Sequence, residues 1–168
     1  MAQAIPEAWL RGPLEGVHPV VMPVFFTFAQ VREALGKHTE GLTREEISRN
    51  LHGAASLGFH IKHIAGSVDR LTTYLAGGQL NETQMQFMRE EDKADAALDE
   101  LLRLMDATLH RSEEQLKQVD PATLYEARAV GRKALPTTVI GLIVHLAEHT
   151  QRHLGQAITT IKMLRDTS

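Results

Sequence analysis

Residues 137–165 read TTVIGLIVHLAEHTQRHLGQAITTIKMLR, and the spacing inside that stretch decides the fold class. An α-helix turns by ~100° per residue, so each side chain can be placed around its axis. With His145 at zero, His149 and His153 fall at ~40° and ~80°, and Gln156 at ~20°. Ile143, Ala147, Leu154, Ile158 and Ile161 gather at roughly 160–220°, and Leu142 and Leu146 at roughly 60–100°, while Glu148 and Arg152 lie at roughly 300–340°. One side is apolar, another charged, and three imidazoles run along the border. The stretch therefore reads as one long amphipathic helix, opened by Thr137 or Thr138 and running to about Arg165.

The same periodicity recurs upstream. From Pro19 to about His38 the apolar positions Val21, Val24, Phe25, Phe28, Val31 and Leu35 recur at three- and four-residue steps, with proline tolerated in the first turn. Thr43 followed by Glu45 and Glu46 predicts a short capped turn. Ser56 is a candidate N-cap for a helix whose stripe is Leu57, Ile61, Ile64, Val68, Leu71 and Leu75, stopped by Gly77 and Gly78. Asn81 can cap a short turn carrying Met85 and Met88. A third long helix is expected from about Lys93 to Val119, built on Ala94, Ala97, Leu98, Leu101, Leu104, Met105, Leu109 and Leu116, and ended by Asp120-Pro121. Segment 121–136 holds Gly131, Pro136 and the basic trio Arg128, Arg132 and Lys133, and reads as a loop or hairpin. No segment sustains a period of two. Four long amphipathic helices predict an all-α chain folded as a four-helix bundle.

Pro6, Gly12, Pro13 and Gly16 mark residues 1–16 as an extended N-terminal arm before a bundle domain over 17–168. Trp9 in that arm is expected to pack on the body or on a partner subunit. Phe25, Phe26 and Phe28 lie close together and are expected to leave an apolar strip, hence a homodimer.

The composition narrows the chemistry. A length of 168 residues fits one domain. A net charge of -3 gives no electrostatic case for nucleic acid or an anionic membrane as partner. With no cysteine in the chain, disulfides, thiolate zinc sites and a cysteine nucleophile are excluded. The start shows no signal-peptide pattern, and the apolar run 139–147 is too short to span a bilayer. A cytoplasmic protein acting on a small molecule is the expectation.

Histidine is what remains for chemistry. Residues four apart on a helix are ~6 Å apart along the axis and can share an ion, whereas His145 and His153 are ~12 Å apart and cannot. One of those two is therefore a spectator. Catalytic zinc takes three protein ligands and an open position, so a third imidazole must come from elsewhere, and the helix around Gly58–Tyr74 carries His60 and His63. By rotation alone His60 lies nearer the centre of its apolar stripe. The zincin pattern is absent, because Thr150 follows His149 where those enzymes have their glutamate, and Glu148 lies on another face. Gly155 reads as a point of close helix approach. Gln156 can orient an imidazole, bind substrate or simply occupy a polar rim. Arg128, Arg132 and Lys133 could hold an anionic substrate if their loop overhangs the histidines. His18, His38, His52 and His110 read as surface or loop residues.

Two segments, SLGFHIKHIAGSVDR at 56–70 and HTQRHLGQ at 149–156, resemble the early His-Ile-Ala helix and the late His-x3-His-x-Gly-Gln helix of the DinB/YfiT-like family of metal-dependent bundles. With helix order and lengths, the likeness runs from about residue 18 to the end. It implies a four-helix bundle with a crossover connection, often a homodimer, holding a divalent metal, zinc or nickel, on three histidines. Carried over by position these are His63, His149 and His153. His60 falls where relatives usually carry an aliphatic residue and is left as reserve ligand or supporting donor; His145 is extra. Several members use low-molecular-weight thiols. Three neutral imidazoles leave an ion its full charge, so it can acidify water for hydrolysis or stabilise a thiolate for transfer to an electrophile. Without a zincin-like glutamate, thiol transfer is favoured. The expectation is a metal-dependent S-transferase or hydrolase; the alternative is a non-catalytic, stress-linked metal-binding bundle.

Overall fold

The computed structural model describes residues 5–93 and 96–166. Helix α1 (Met22–His38) begins with Pro23 in its first turn and buries Val24, Phe28, Val31 and Leu35 completely. The short α2 (Arg44–Ser48) starts with a reciprocal cap. The Glu46 N–H donates to Thr43 Oγ1 at 3.3 Å and the Thr43 N–H to Glu46 Oε2 at 2.8 Å. Helix α3 (Leu57–Leu75) opens where Ser56 Oγ accepts from the Phe59 N–H at 3.1 Å. It closes at Gly77, whose φ of 80° is left-handed backbone that glycine adopts without penalty. Helix α4 (Glu82–Arg89) repeats the reciprocal cap with Asn81 and Gln84. Two long helices follow, α5 (Leu98–Lys117) and α6 (Val139–Asp166). Thr138 Oγ1 caps α6 by accepting from the Gly141 N–H at 3.1 Å.

The long helices form the bundle. Helix α3 packs on both α5 and α6, and α1 packs on α6 and more lightly on α5. Passing around the bundle the order is α1, α6, α3, α5, so the links from α1 to α3 and from α5 to α6 both cross a diagonal. Polar ties reinforce the seams. Arg32 on α1 reaches Asp106 and Glu113 on α5, each at 2.6 Å, Thr72 meets Ser112 at 2.8 Å, and Gln151 donates to Gln30 at 2.7 Å. Helix α3 is buried on nearly every face, as a helix wedged between two others must be.

Three expectations are corrected: the start of the third long helix, the packing of Trp9 on the body and the phenylalanine strip. The third long helix starts at Leu98 instead of Lys93, because Ala97 is extended (φ -76°, ψ 156°) and its N–H is taken at 3.0 Å by Glu100 one turn on; Ala94 lies outside the described residues. Segment 121–136 takes the hairpin form of the two expected, a small two-stranded addition to a helical bundle. Strands β1 (Ala127–Val130) and β2 (Leu135–Thr138) pair antiparallel, Ala127 opposite Thr138 and Val130 opposite Leu135. Arg128 Nε pins this hairpin to the end of α3 by donating to the Leu75 carbonyl at 2.9 Å. Of the two places expected for Trp9, the body of its own chain is not one it occupies. It is 59% exposed and donates to Glu7 at 2.7 Å, although the arm itself is tied down by buried Ala8 and by Arg11 forked onto Glu33 at 2.5 and 2.8 Å. Phe25 and Phe28 are core residues and Phe26 is half-buried, so the three do not form an exposed strip. Among the described residues no helix is long and apolar enough to cross a membrane.

The register of α6 is directly testable. Leu146 is fully buried while Val144, two residues earlier, is 58% exposed. Leu146→Ala should cost about 2–5 kcal/mol in denaturant unfolding, and Val144→Ala within about 0.5 kcal/mol. Equal costs would contradict the helix orientation.

Candidate metal centre

Because α3 and α6 are neighbours, side chains on their facing rims meet. His63 projects from α3, and His149 and His153 from successive turns of α6. One ring nitrogen from each lies within 4.8 Å of the others, and all three residues are half-buried. The ring centres of His63 are 5.2 Å from those of His149 and 4.3 Å from those of His153, and the latter two are 4.7 Å apart. Phe59 stacks on His63 at 5.3 Å with planes 15° apart, fixing the ring from behind.

Hydrogen bonds orient the first imidazole. His63 Nδ1 lies 2.7 Å from Glu91 Oε2. A carboxylate only accepts, so Nδ1 carries a proton, and in the neutral ring the Nε2 lone pair faces the cluster. That Nε2 is 3.0 Å from His149 Nε2. Without a cation, a proton on His149 must separate the two nitrogens, which leaves His149 Nδ1 bare. Nδ1 of His149 is indeed buried with no hydrogen-bond partner. Two nitrogens held ~2.1 Å from a tetrahedral ion stand about 3.4 Å apart, so the spacing suits a shared cation. Three nitrogen donors with a carboxylate behind one of them is a donor set that fits a divalent transition-metal ion.

Glu91 was not visible in the sequence. It sits in the turn after α4, is only 4% exposed, and accepts from Arg70 Nη1 at 2.6 Å as well as from His63. Lys62 holds the same turn by donating to the Lys93 carbonyl at 2.6 Å. Gly66 makes the approach possible: a Cβ there would collide with Glu91 Oε1 and come within 2.8 Å of Phe87 Cε1. Arg70, Gly66 and Phe59 likewise went unrecognised.

The other expected residues fall into place separately. His60 is the more buried of the α3 pair, at 5% exposure, as its rotation implied. It stands behind the cluster with its Nδ1 3.4 Å from His153 Nδ1. His145 turns outward to Glu148, 2.6 Å away. Gly155 is exposed with nothing near its Cβ position, so the expected close helix approach is absent. Gln156 is exposed on the rim of a cavity beside His153. Of the hairpin, Val130 borders the histidines. Arg128 is spent on Leu75 and Glu126, and Arg132 and Lys133 are exposed. His18, His52 and His110 are exposed, and His38 is half-buried at the end of α1.

Burial keeps His149 and His153 neutral. Desolvation, reinforced by the neighbouring histidines and Arg152, pushes His149 down to about 4 and His153 down to about 3, and desolvation first, then proximity to His63, lowers His60. Lone pairs are therefore available to a cation at neutral pH.

The fold and the cluster define a class: a helical bundle with a half-buried tri-imidazole site that could hold a metal ion. The DinB superfamily model matches residues 27–157, and the chain belongs to that superfamily. No curated protein gave a match to the chain.

Two measurements probe the site without activity. Histidines with lowered folded-state pKa take up protons only on unfolding, so metal-free protein should lose stability as pH falls from about 6.5 toward 4.5; His149→Gln/His153→Gln should flatten that decline in denaturant midpoints, and an unchanged slope would contradict it. Gly155→Ala should stabilise by about 0.5–1 kcal/mol, as for any open helical glycine. Gly66→Ala should instead destabilise by about 1–3 kcal/mol through the displaced Glu91, and a gain there would show the carboxylate is not confined.

Proposed function

We propose that His63, His149 and His153 bind one divalent ion, zinc or nickel, and that the protein is a metal-dependent enzyme acting on a small molecule, by low-molecular-weight thiol transfer or by hydrolysis. The observation that carries this reading is the convergence of the three ring nitrogens within 4.8 Å. When bound, such an ion would supply a Lewis acid able to lower the pKa of a thiol or of water.

The chain's own groups divide the work around it. Glu91 holds the Nδ1 proton of His63 in place and so keeps the Nε2 lone pair directed at the cluster. Burial holds His149 and His153 neutral, so they present lone pairs. The acids beside the cluster are engaged: Glu91 by His63 and Arg70, Glu148 by His145 and Arg152. Neither is placed to take a proton from water, which favours thiol transfer over hydrolysis. The sulfur would come from the substrate, since the chain has no cysteine.

Metal analysis of freshly purified protein tests the reading. The wild type should carry close to one ion per chain and His149→Ala/His153→Ala none. Metal-loaded wild type, but not the variant, should accelerate conjugation of a small thiol to an electrophile. Metal without turnover on any thiol or hydrolytic substrate would favour the non-catalytic, stress-linked binder. A wild type free of metal, whose thermal stability ignores added zinc and nickel, would overturn both.

A further inference from the structure

A cavity of about 270 Å³ opens on the hairpin side of the cluster, with His63 and His149 in its wall. That is close to the lower end of small-molecule sites, roughly 300–1,000 Å³. Arg70 and Tyr74 also line it, and both are buried, at 9% and 6% exposure. Arg70 uses Nη1 on Glu91. Its remaining N–H groups, and the Tyr74 hydroxyl, have no acceptor among the described residues, and neither group is sealed away from the cavity.

Buried donors left without acceptors are costly, so a site lined this way favours an acceptor-rich ligand. The planar edge of a guanidinium matches the two oxygens of a carboxylate, and a phenolic O–H adds a third donor. Leu80, Met88 and Val130, drawn from the loop before α4, from α4 and from the hairpin, give the cavity an apolar wall, and its two other polar residues are engaged, Ser67 with the Ile64 carbonyl and His145 with Glu148. A larger cavity of about 710 Å³ lies beside His60 and His153. Its cation, Arg152, is 54% exposed and already paired with Glu148, so it offers less to a ligand.

We propose that the smaller cavity binds a small carboxylate. Arg70 and Tyr74 hold the head, the apolar body lies along Leu80, Met88 and Val130, and His63 and His149 flank it. The proposal rests on the metal-centre reading for any reaction that follows, but on protein donors alone for holding the ligand.

Calorimetric titration with hexanoate, and with hexanamide as its uncharged counterpart, tests this on metal-loaded and chelator-stripped protein. Hexanoate should bind both forms, with hexanamide at least about tenfold weaker. Tyr74→Phe should raise the hexanoate Kd about tenfold. Met88→Trp, at a position 47% exposed, should fill the cavity and abolish binding while leaving the metal content unchanged. The proposal is overturned if neither form binds hexanoate, if hexanamide binds equally, if only the metal-loaded form binds, or if Met88→Trp has no effect. A wild type without metal that still binds hexanoate would remove the metal reading and leave the carboxylate site standing.

Discussion

Everything at the candidate site depends on the contact between α3 and α6. Packed helices hold their axes about 8–10 Å apart, a distance that imidazoles from both sides can close. The apolar residues below the rim set that separation, among them Ile61, Ile64 and Val68 from α3 and Leu146, Leu154 and Ile161 from α6, all at most 2% exposed. Rotating α6 by one residue would swing His149 and His153 by ~100° and disperse the cluster. Core packing and ligand geometry are thus one constraint. Its diagonal connections let helices distant in sequence lie side by side, bringing residue 63 to residues 149 and 153.

The electrostatic design follows from partial burial. Half-buried His149 and His153 resist protonation, first through desolvation and then through neighbouring positive charge. The one carboxylate brought against the cluster does not stand alone, since Arg70 accompanies it into the interior. An unpaired buried charge would be strongly destabilising, whereas a paired and hydrogen-bonded one is tolerated. Gly66 lets this pair lie directly against the helix, and the turn after α4 is held there by Lys62. The short fourth helix therefore matters less for its own burial than for delivering Glu91.

What could be read from the sequence is what periodicity and capping encode. The stripes of α1, α3 and α6 and the caps at Thr43, Ser56, Asn81 and Thr138 are local signals, and the structure realises each. The start of α5 is not legible because alanines at 94 and 97 continue an apolar pattern without saying where the backbone turns helical. His149 and His153 announce themselves by spacing. Rotation does not choose between His60 and His63: it ranks burial correctly, but both reach α6, and it does not say which of them meets both His149 and His153; only the family likeness points to His63. Glu91 lies in the acidic run Glu90-Glu91-Asp92, and nothing in that run shows which acid turns inward. That information resides in the missing Cβ of Gly66, three residues beyond His63, and is expressed only when α4 docks.

The most direct measurement is an anomalous-scattering map from crystals grown without chelator and collected at the absorption edges of zinc and nickel. The account predicts one peak per chain, about 2.1 Å from a ring nitrogen of each of His63, His149 and His153, with Glu91 still on His63 Nδ1. A peak bonded to His60 or His145 in place of His63, or no peak even after soaking in either metal, would contradict it.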